Sequence, residues 1–250
     1  MLKLSVAISF LKHRFRAKNR HGIHSPFVYR LLDEVIYDFR AKTVYQEIEQ
    51  LRNDLLHDER WINNNEPMQI SSVAKNALKP TRIVQLLHRL VADLKPGNII
   101  ELGTSLGITT AYLAKAAPGA RFVSIERNSE TASIAEENLQ KLNIHNVDLL
   151  CGNADELLAK LLDGIPELDF IIIDENHPGD TILSYFKSCL PKMSDHSMMV
   201  FEDIYRSREM RSAWEEIKSY PEVIVTIDLF WLGLVFVRRA QRKEDFFIRF

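Results

Sequence analysis

The sequence predicts an α/β protein in which a mostly parallel, doubly wound sheet follows a helical N-terminal extension. After Gly97, short apolar runs alternate with helical stretches, a pattern typical of parallel strands covered by helices on both faces. Near the C-terminus, "EVIVTIDL" and "LGLVFVRR" follow each other without a helix between them, which predicts an antiparallel hairpin. We therefore expect a sheet of seven strands whose last strand is antiparallel.

Length, composition and charge restrict the possible classes of protein. A chain of 250 residues with 46% hydrophobic residues suits one α/β domain with an extension, or two small domains. The formal net charge of −2 gives no overall positive field, so no nucleic-acid partner is expected. Cys151 and Cys189 lack the spacing of a zinc site or a disulfide framework, which favours a reducing, cytoplasmic compartment. We expect Cys151 to be packed within a strand.

The first part of the chain, to about Leu94, is expected to be helical throughout. "SPFVYRLLDEVIYDF" opens with Ser25 as a candidate N-cap and Pro26 at the first helical position, where proline is preferred. "TVYQEIEQLRNDLLHDERWI" and "TRIVQLLHRLVADL" continue with apolar residues at helical spacing. The expected organisation is an extension over residues 1–79, a main domain over 80–240 and a tail over 241–250.

The first helix of the extension is basic. Leu4, Ile8, Leu11 and Phe15 recur at helical spacing, and no acidic residue precedes Asp33. No small-residue cleavage site follows, so a signal peptide is not expected. Such a helix can touch an anionic membrane surface or cover another element of the same protein. The second interpretation is favoured, because every amphipathic helix needs a face to bury.

The loop after the first sheet strand has the sequence "ELGTSLG". Open α/β sheets bind ligands at the carboxyl ends of their strands. Gly103 permits a tight turn and Gly107 a close backbone approach, with Thr104 and Ser105 between them. The spacing is neither the GxGxxG of a dinucleotide site nor that of a P-loop. Glu101, just before the first glycine, suits a cationic amino-acid tail better than a pyrophosphate.

The next two strands also end in polar residues. Glu126 closes "RFVSIE" at a position from which an acid can accept both hydroxyls of a ribose. The alternative is a solvated acid that caps the following helix. In "CGNADE", Asn153 and Asp155 can meet an adenine edge, while Glu156 can complete a helix cap.

These three strand ends together resemble a class I S-adenosylmethionine-dependent methyltransferase, which has a Rossmann-like sheet. The resemblance covers residues 80–240: "ELGTSLG" matches the family's first motif, Glu126 its ribose-binding acid, and "GNAD" its adenine-contacting turn. The leading segment "NRHGIHSPFVYRLL" resembles that of a bacterial branch whose helices cap the substrate side. The implied cofactor is S-adenosylmethionine, and the residues implied to bind it are Glu101, Gly103, Thr104, Ser105, Gly107, Glu126, Asn153, Ala154, Asp155 and Asp174.

Candidate catalytic residues follow the fourth and fifth strands: Asp174 and His177 in "DENHPGD", and Asp203 in "FEDIY". His177 has the ordinary pKa of a general base, although a lone loop histidine can also be simply solvated. The layout resembles catechol-type O-methyltransferases, in which an Asp after the fourth strand and an Asp-Asn pair after the fifth hold Mg²⁺. Asp174 and Asp203 match two of these ligands, but Ile204 replaces the asparagine, so Glu202 or His177 would have to complete the site. Alternatively, both acids orient substrate without an ion.

The expected function is methyl transfer to a small-molecule acceptor, with oxygen as the favoured atom and a homodimer as a compatible assembly. Two alternatives stay open. One is an NAD-dependent oxidoreductase, against which the loop spacing and the final hairpin both count. The other is a module that binds the cofactor without turnover and acts through its N-terminal helices.

Overall fold

The computed structural model describes residues 4–62, 67–174 and 179–250. Contacts within the chain group these residues into two compact units. Unit 1 comprises the described residues up to Tyr37 together with Leu158–Phe250, and unit 2 comprises Asp38–Leu157. The predicted boundary at residue 79 and the predicted capping role of the extension both stay predictions.

Helices and strands alternate along most of the chain. The helices are α1 (Leu4–Arg16), α2 (Pro26–Leu31), α3 (Thr43–Leu56), α4 (Ile70–Ala77), α5 (Thr81–Leu94), α6 (Ile108–Ala116), α7 (Ser129–Lys141), α8 (Ala154–Asp163), α9 (Gly179–Cys189) and α10 (Arg208–Ser219). The strands are β1 (Trp61–Ile62), β2 (Met68–Gln69), β3 (Asn98–Leu102), β4 (Arg121–Glu126), β5 (Val147–Cys151), β6 (Phe170–Ile173), β7 (Met198–Glu202), β8 (Val225–Asp228), β9 (Leu232–Phe236) and β10 (Glu244–Phe247).

Unit 2 contains parallel strands β3, β4 and β5, with β4 in the middle. Strands β3 and β4 are largely buried, as expected for parallel strands covered on both faces. Strand β5 is partly exposed along its length, and Cys151 at its end is exposed. The expectation that Cys151 is a packed strand residue is therefore wrong, because its strand pairs on only one side within unit 2.

A carboxylate links three helices of unit 2. Glu49 of α3 accepts hydrogen bonds from the hydroxyl of Tyr112 in α6, at 2.7 Å, and from the hydroxyl of Thr81 in α5, at 2.8 Å. His88 of α5 is buried beside them, and its Nδ1 lies 2.9 Å from the carbonyl oxygen of Tyr112. The part of the predicted extension that lies in unit 2 thus packs on α6, the helix that follows "ELGTSLG". The expectation that the extension is helical throughout is wrong, because α3 ends at Leu56 and Trp61–Ile62 pairs antiparallel with Met68–Gln69.

Unit 1 contains strands in the order β10-β8-β9-β7-β6. Strands β6 and β7 are parallel, whereas β9 runs antiparallel to both β7 and β8, which confirms the expected reversal near the C-terminus. Strand β10 adds to this sheet, parallel to β8, within the segment that the sequence assigned to a tail. The expected number of seven strands and the expected antiparallel last strand are therefore wrong, since β3 to β10 are eight strands and the last of them is parallel. All residues of β6, β8 and β9 are buried, so these strands form the core of unit 1.

The helical start of unit 1 follows the sequence signals. Ser25 caps α2 by accepting a hydrogen bond from the N–H of Val28 at 3.4 Å, and Pro26 occupies the first helical position. Helix α2 continues into a π-helical turn over Leu32–Ile36. Within the described ranges, no helix combines the length and apolarity that crossing a bilayer requires.

Candidate functional site

The loop between β3 and α6 has an unusual backbone conformation. Gly103, Ser105 and Gly107 all have positive φ, at 97°, 51° and 79°. Two glycines adopt this region without steric cost, whereas Ser105 does not. The N–H groups of Gly103 and Thr104 both donate to the carbonyl oxygen of Ile125, at 2.9 and 3.2 Å. The loop is thereby fixed against the end of β4.

Glu126, at the end of β4, holds the same loop with its side chain. Its Oε2 accepts a hydrogen bond from the N–H of Ser105 at 2.8 Å, and its Oε1 accepts one from the N–H of Asn128 at 2.9 Å. The residue is half-buried. An ionised carboxylate has about four acceptor positions, so two hydrogen bonds leave capacity for a ligand. Glu126 is therefore oriented by the backbone while still able to accept hydroxyl groups.

Glu101 lies inside unit 2. It is fully buried, and its Oε2 accepts hydrogen bonds from the hydroxyls of Thr110 and Ser124, each at 2.6 Å. The hydroxyls of Thr104 and Ser124 are also 2.6 Å apart. The bonds to Glu101 tie β3 to α6 and β4, and the Thr104–Ser124 bond ties the loop to β4. The predicted contact between Glu101 and a cationic tail stays a prediction.

The end of β5 lies beside the end of β4, since the N–H of Gly152 donates to the carbonyl oxygen of Glu126 at 2.9 Å. Asn153 and Asp155 are exposed, and Ala154 between them is buried. The Oδ1 of Asn153 accepts the N–H of Asp155 at 3.0 Å, at the start of α8. Unit 2 thus brings together the predicted loop, the predicted ribose acid and the predicted adenine turn.

The predicted catalytic residues lie in unit 1. Asp174 follows β6 and is half-buried, whereas His177 lies outside the described residues. Asp203 follows β7, is exposed and has a positive φ of 51°. Its N–H donates to the carbonyl oxygen of Trp231 at 2.8 Å, and its carbonyl oxygen accepts from the N–H of Arg206 at 2.8 Å. Asp203 is therefore held in an unfavourable backbone conformation by neighbouring segments.

Asp228, at the end of β8, is a buried polar centre that sequence reasoning missed. Its carboxylate accepts hydrogen bonds from the hydroxyl of Tyr205 at 2.7 Å and the N–H of Phe230 at 2.9 Å. The Nε2 of His13, from α1, lies 3.0 Å from the same carboxylate. Burial and the Asp228 carboxylate raise the pKa of Tyr205, so its hydroxyl stays protonated as a donor. The sequence could have indicated Asp228, because it is an acidic residue at the end of a predicted strand, as Glu126 is.

This polar centre supports the segment that holds Asp203. Phe230 has a positive φ of 71° and stacks on Tyr205, with ring centroids 4.8 Å apart and an interplanar angle of 8°. The next residue, Trp231, supplies the carbonyl oxygen that accepts the Asp203 N–H. A chain of contacts therefore runs from His13 through Asp228 to the backbone of Asp203.

A magnesium site of the catechol type is not completed by these residues. Ile204, at the position of the third ligand, is fully buried and apolar. Across residues 4–62, 67–174 and 179–250, no group of three or more His, Cys, Asp or Glu side chains is arranged to hold a metal ion. Glu202 is half-buried beside Asp203. The predicted ligand set of Asp174, Asp203 and Glu202 stays a prediction.

Comparisons with known proteins agree with this architecture. Residues 100–204 match a family model described as a methyltransferase domain. A transmembrane O-methyltransferase homolog of Rattus norvegicus is 38% identical over 80 residues, which is 31% of this chain and 31% of the rat protein. The chain therefore spans about a third of the length of that relative. A catechol O-methyltransferase of Niastella koreensis is 25% identical over 170 residues, covering 65% of this chain and 75% of that protein.

A solved structure extends the likeness over most of the chain. The O-methyltransferase of Bacillus cereus, determined in complex with SAH, has a TM-score of 0.59 and 19% identity, and the match covers 87% of this chain and all of that one. The predicted α/β fold, with a mostly parallel sheet flanked by helices, is confirmed as the Rossmann-like fold of methyltransferases.

Proposed function

We propose that this chain, which has the class I methyltransferase fold, uses S-adenosylmethionine to methylate an oxygen atom of a small-molecule acceptor. The observation that carries the proposal is the Glu126 carboxylate, which holds the Ser105 backbone and retains free acceptor positions. In the proposed complex these positions receive the two ribose hydroxyls. The three similar proteins named above are O-methyltransferases by name, which supports oxygen as the methyl acceptor.

The residues of unit 2 fit this cofactor. Gly103, whose φ is positive, leaves the loop without a side chain at a position where we propose that the cofactor approaches the backbone. Asn153 and Asp155 are exposed next to Glu126, where they can meet the adenine edge. When bound, S-adenosylmethionine supplies an activated methyl group on a sulfonium. The chain's own task is to orient the acceptor and remove its proton.

Asp174, Asp203 and His177 are the residues we propose for that task. A carboxylate can orient an acceptor hydroxyl by accepting its hydrogen bond, and a neutral imidazole can accept its proton near neutral pH. The strained backbone of Asp203 supports a functional role, since such strain persists where the surroundings impose it. We assign no step to a metal ion, because the described residues do not complete a site for one.

We further propose that the protein works in the cytoplasm. Its two cysteines, Cys151 and Cys189, are both free. Free thiols persist in a reducing compartment, where disulfides are rare. Fractionation of cells that express the full chain tests this localisation, and sedimentation velocity tests whether the active species is a homodimer.

Titration calorimetry with S-adenosylhomocysteine, and with NAD as the control ligand, tests the cofactor assignment. Binding of S-adenosylhomocysteine alone is expected. Binding of NAD alone would make the chain an oxidoreductase candidate and overturn the proposal. Methyl transfer to a panel of catechols and other phenols, measured with and without Mg²⁺, then tests turnover. Cofactor binding without methylation of any acceptor would favour a non-catalytic module.

A further inference from the structure

Helix α1 exposes the apolar residues that its sequence pattern assigns to a packed face. Ile8, Leu11 and Phe15 are 46%, 56% and 90% exposed. They follow one another at spacings of three and four residues, so they form a continuous stripe along one side of the helix. Phe15 is almost fully exposed, whereas Ile8 and Leu11 are only half covered, so the expectation that this side of the helix is buried is wrong for Phe15 and holds only in part for the other two.

The opposite side of α1 is the side that packs. Val6, Ser9 and His13, and Ala17 directly after the helix, are each less than a tenth exposed. The hydroxyl of Ser9 accepts a hydrogen bond from Nη1 of Arg211 at 3.1 Å, in addition to the buried contact of His13 with Asp228. These polar contacts fix the rotation of the helix. The exposed stripe therefore cannot turn inward without breaking them.

Basic residues accompany the exposed stripe. Lys12 and Arg14 are exposed, and the helical repeat puts them on either side of Leu11 and Phe15. No carboxylate among the described residues forms an ion pair with either of them. Arg16 does not belong to this side, because its guanidinium lies over the ring of Phe247, 4.0 Å from the centroid. The outer side of α1 thus combines a row of large apolar side chains with the positive charges of Lys12 and Arg14.

We infer that α1 is an interfacial helix that docks the protein on a membrane surface rich in anionic phospholipids. Leu11 and Phe15 would enter the boundary between headgroups and acyl chains, as the apolar side of such a helix does. Lys12 and Arg14 would meet the lipid phosphates, which attract basic residues close to the surface. A second copy of the chain fits this side less well, because pairing two such helices would bring their like charges together.

Vesicle co-sedimentation of the full chain tests the inference. The probes are vesicles of phosphatidylcholine alone and vesicles that also contain about 30% phosphatidylglycerol, a strongly anionic surface. We expect binding to the anionic vesicles only, and a loss of binding as salt is raised. Failure to bind anionic vesicles at low salt, or equal binding to both kinds, would overturn the inference.

Two variants and a matched control identify the surface that binds. The double variant Leu11→Ser, Phe15→Ser should lower the vesicle partition coefficient at least tenfold. Each of the two substitutions removes apolar area that would be buried in the membrane interface. Lys12→Glu combined with Arg14→Glu should abolish the preference for anionic lipid. Phe39→Ser removes another phenylalanine, 68% exposed and outside α1, and should not change binding. All these positions are exposed, and circular dichroism verifies that each variant is folded.

Two further outcomes count against the inference. Equal binding by the Leu11→Ser, Phe15→Ser variant and the original protein would move the contact away from α1. Sedimentation velocity without lipid could show that the original protein is a dimer and that this variant is a monomer. In that case a second copy of the chain, and not a membrane, covers the exposed side of α1. Neither readout depends on methyltransferase activity, so the membrane inference and the proposed function can fail separately.

Discussion

The Glu126 carboxylate and the Ser105 backbone form a charge-assisted hydrogen bond, with 2.8 Å between Oε2 and the amide nitrogen. Ser105 has a φ of 51°, a conformation that costs a residue with a side chain on the order of 1–3 kcal/mol. The bond to Glu126 offsets part of this cost. Glu126 therefore has two tasks in the proposed complex, to shape the loop and to accept the ribose hydroxyls.

Replacing Glu126 tests both tasks. We expect Glu126→Ala to weaken the binding of S-adenosylhomocysteine by roughly 1–3 kcal/mol, because hydrogen-bonding partners are left without an acceptor. Titration calorimetry measures this loss. Glu136→Ala, at an exposed position of α7, is the matched control and should bind as the original protein does. Unchanged affinity in Glu126→Ala would remove Glu126 from the ribose role.

Gly107 is expected to require glycine for two independent reasons. Its φ of 79° is unfavourable for any residue with a Cβ, and an added Cβ would lie 3.3 Å from the Cβ of Ala135 in α7. We expect Gly107→Ala to lower the free energy of unfolding by about 1–2 kcal/mol. Urea denaturation followed by circular dichroism measures the change.

Gly119→Ala provides the control for this substitution. A Cβ at Gly119 would meet no heavy atom within 4 Å, and its φ lies outside the left-handed region. The Gly119 variant should be as stable as the original protein or slightly more stable, since alanine restricts the unfolded chain. Equal effects of the two substitutions would show that the loop conformation carries no special cost.

Asp203→Asn separates the proposed catalytic role of Asp203 from its role in the backbone. Asparagine tolerates positive φ as readily as aspartate does, so the turn after β7 should be kept. We expect turnover to fall about a hundredfold or more if the carboxylate handles the acceptor proton. Affinity for S-adenosylhomocysteine, measured by calorimetry, should not change.

The control for that variant is Asp163→Asn, at an exposed position at the end of α8. It should retain full turnover with whichever acceptor the screen identifies. A parallel loss of turnover, cofactor affinity and unfolding free energy in Asp203→Asn would instead assign Asp203 a structural role.

The sequence predicted the fold and the cofactor loop because both depend on local patterns. Strand β6 is a continuous buried run, and such runs between helices indicate parallel strands. The loop from Gly103 to Gly107 and the acid Glu126 lie at strand ends, where open α/β sheets bind ligands. Strand β10 escaped prediction because its four residues, "EDFF", lie in a charged stretch with no clear alternation.

Other features depend on contacts between distant residues, and no local pattern reveals them. His13 and Asp228 are 215 positions apart, yet their contact decides which side of α1 is buried. The hydropathy of α1 points to Leu11 and Phe15 as its packed side, whereas the polar contacts of Ser9 and His13 turn that side outward. A buried polar pair can thus override the apolar periodicity of a short helix.

His88 should make the stability of the protein depend on pH. It is 5% exposed, and its Nδ1–H donates to the carbonyl oxygen of Tyr112. Burial lowers the pKa of His88 in the folded protein, whereas in the unfolded chain it should be near the ordinary value of about 6.5. Between the lowered and the ordinary pKa the unfolded state binds the extra proton. Acidification through this window therefore favours unfolding, and the stabilisation is complete only above the ordinary pKa.

We expect the free energy of unfolding to fall as the pH drops below about 6.5, with a His88 contribution of at most about 1.4 kcal/mol per pH unit. Urea denaturation at closely spaced pH values measures this slope. His88→Gln cannot take up the proton and should flatten the slope, whatever its effect on stability at neutral pH. His145→Gln, at an exposed position, controls for the loss of a histidine. A His88→Gln variant that keeps the slope of the original protein would show that the acid sensitivity arises from other groups. The slope comes only from groups that bind fewer protons in the folded state than in the unfolded state.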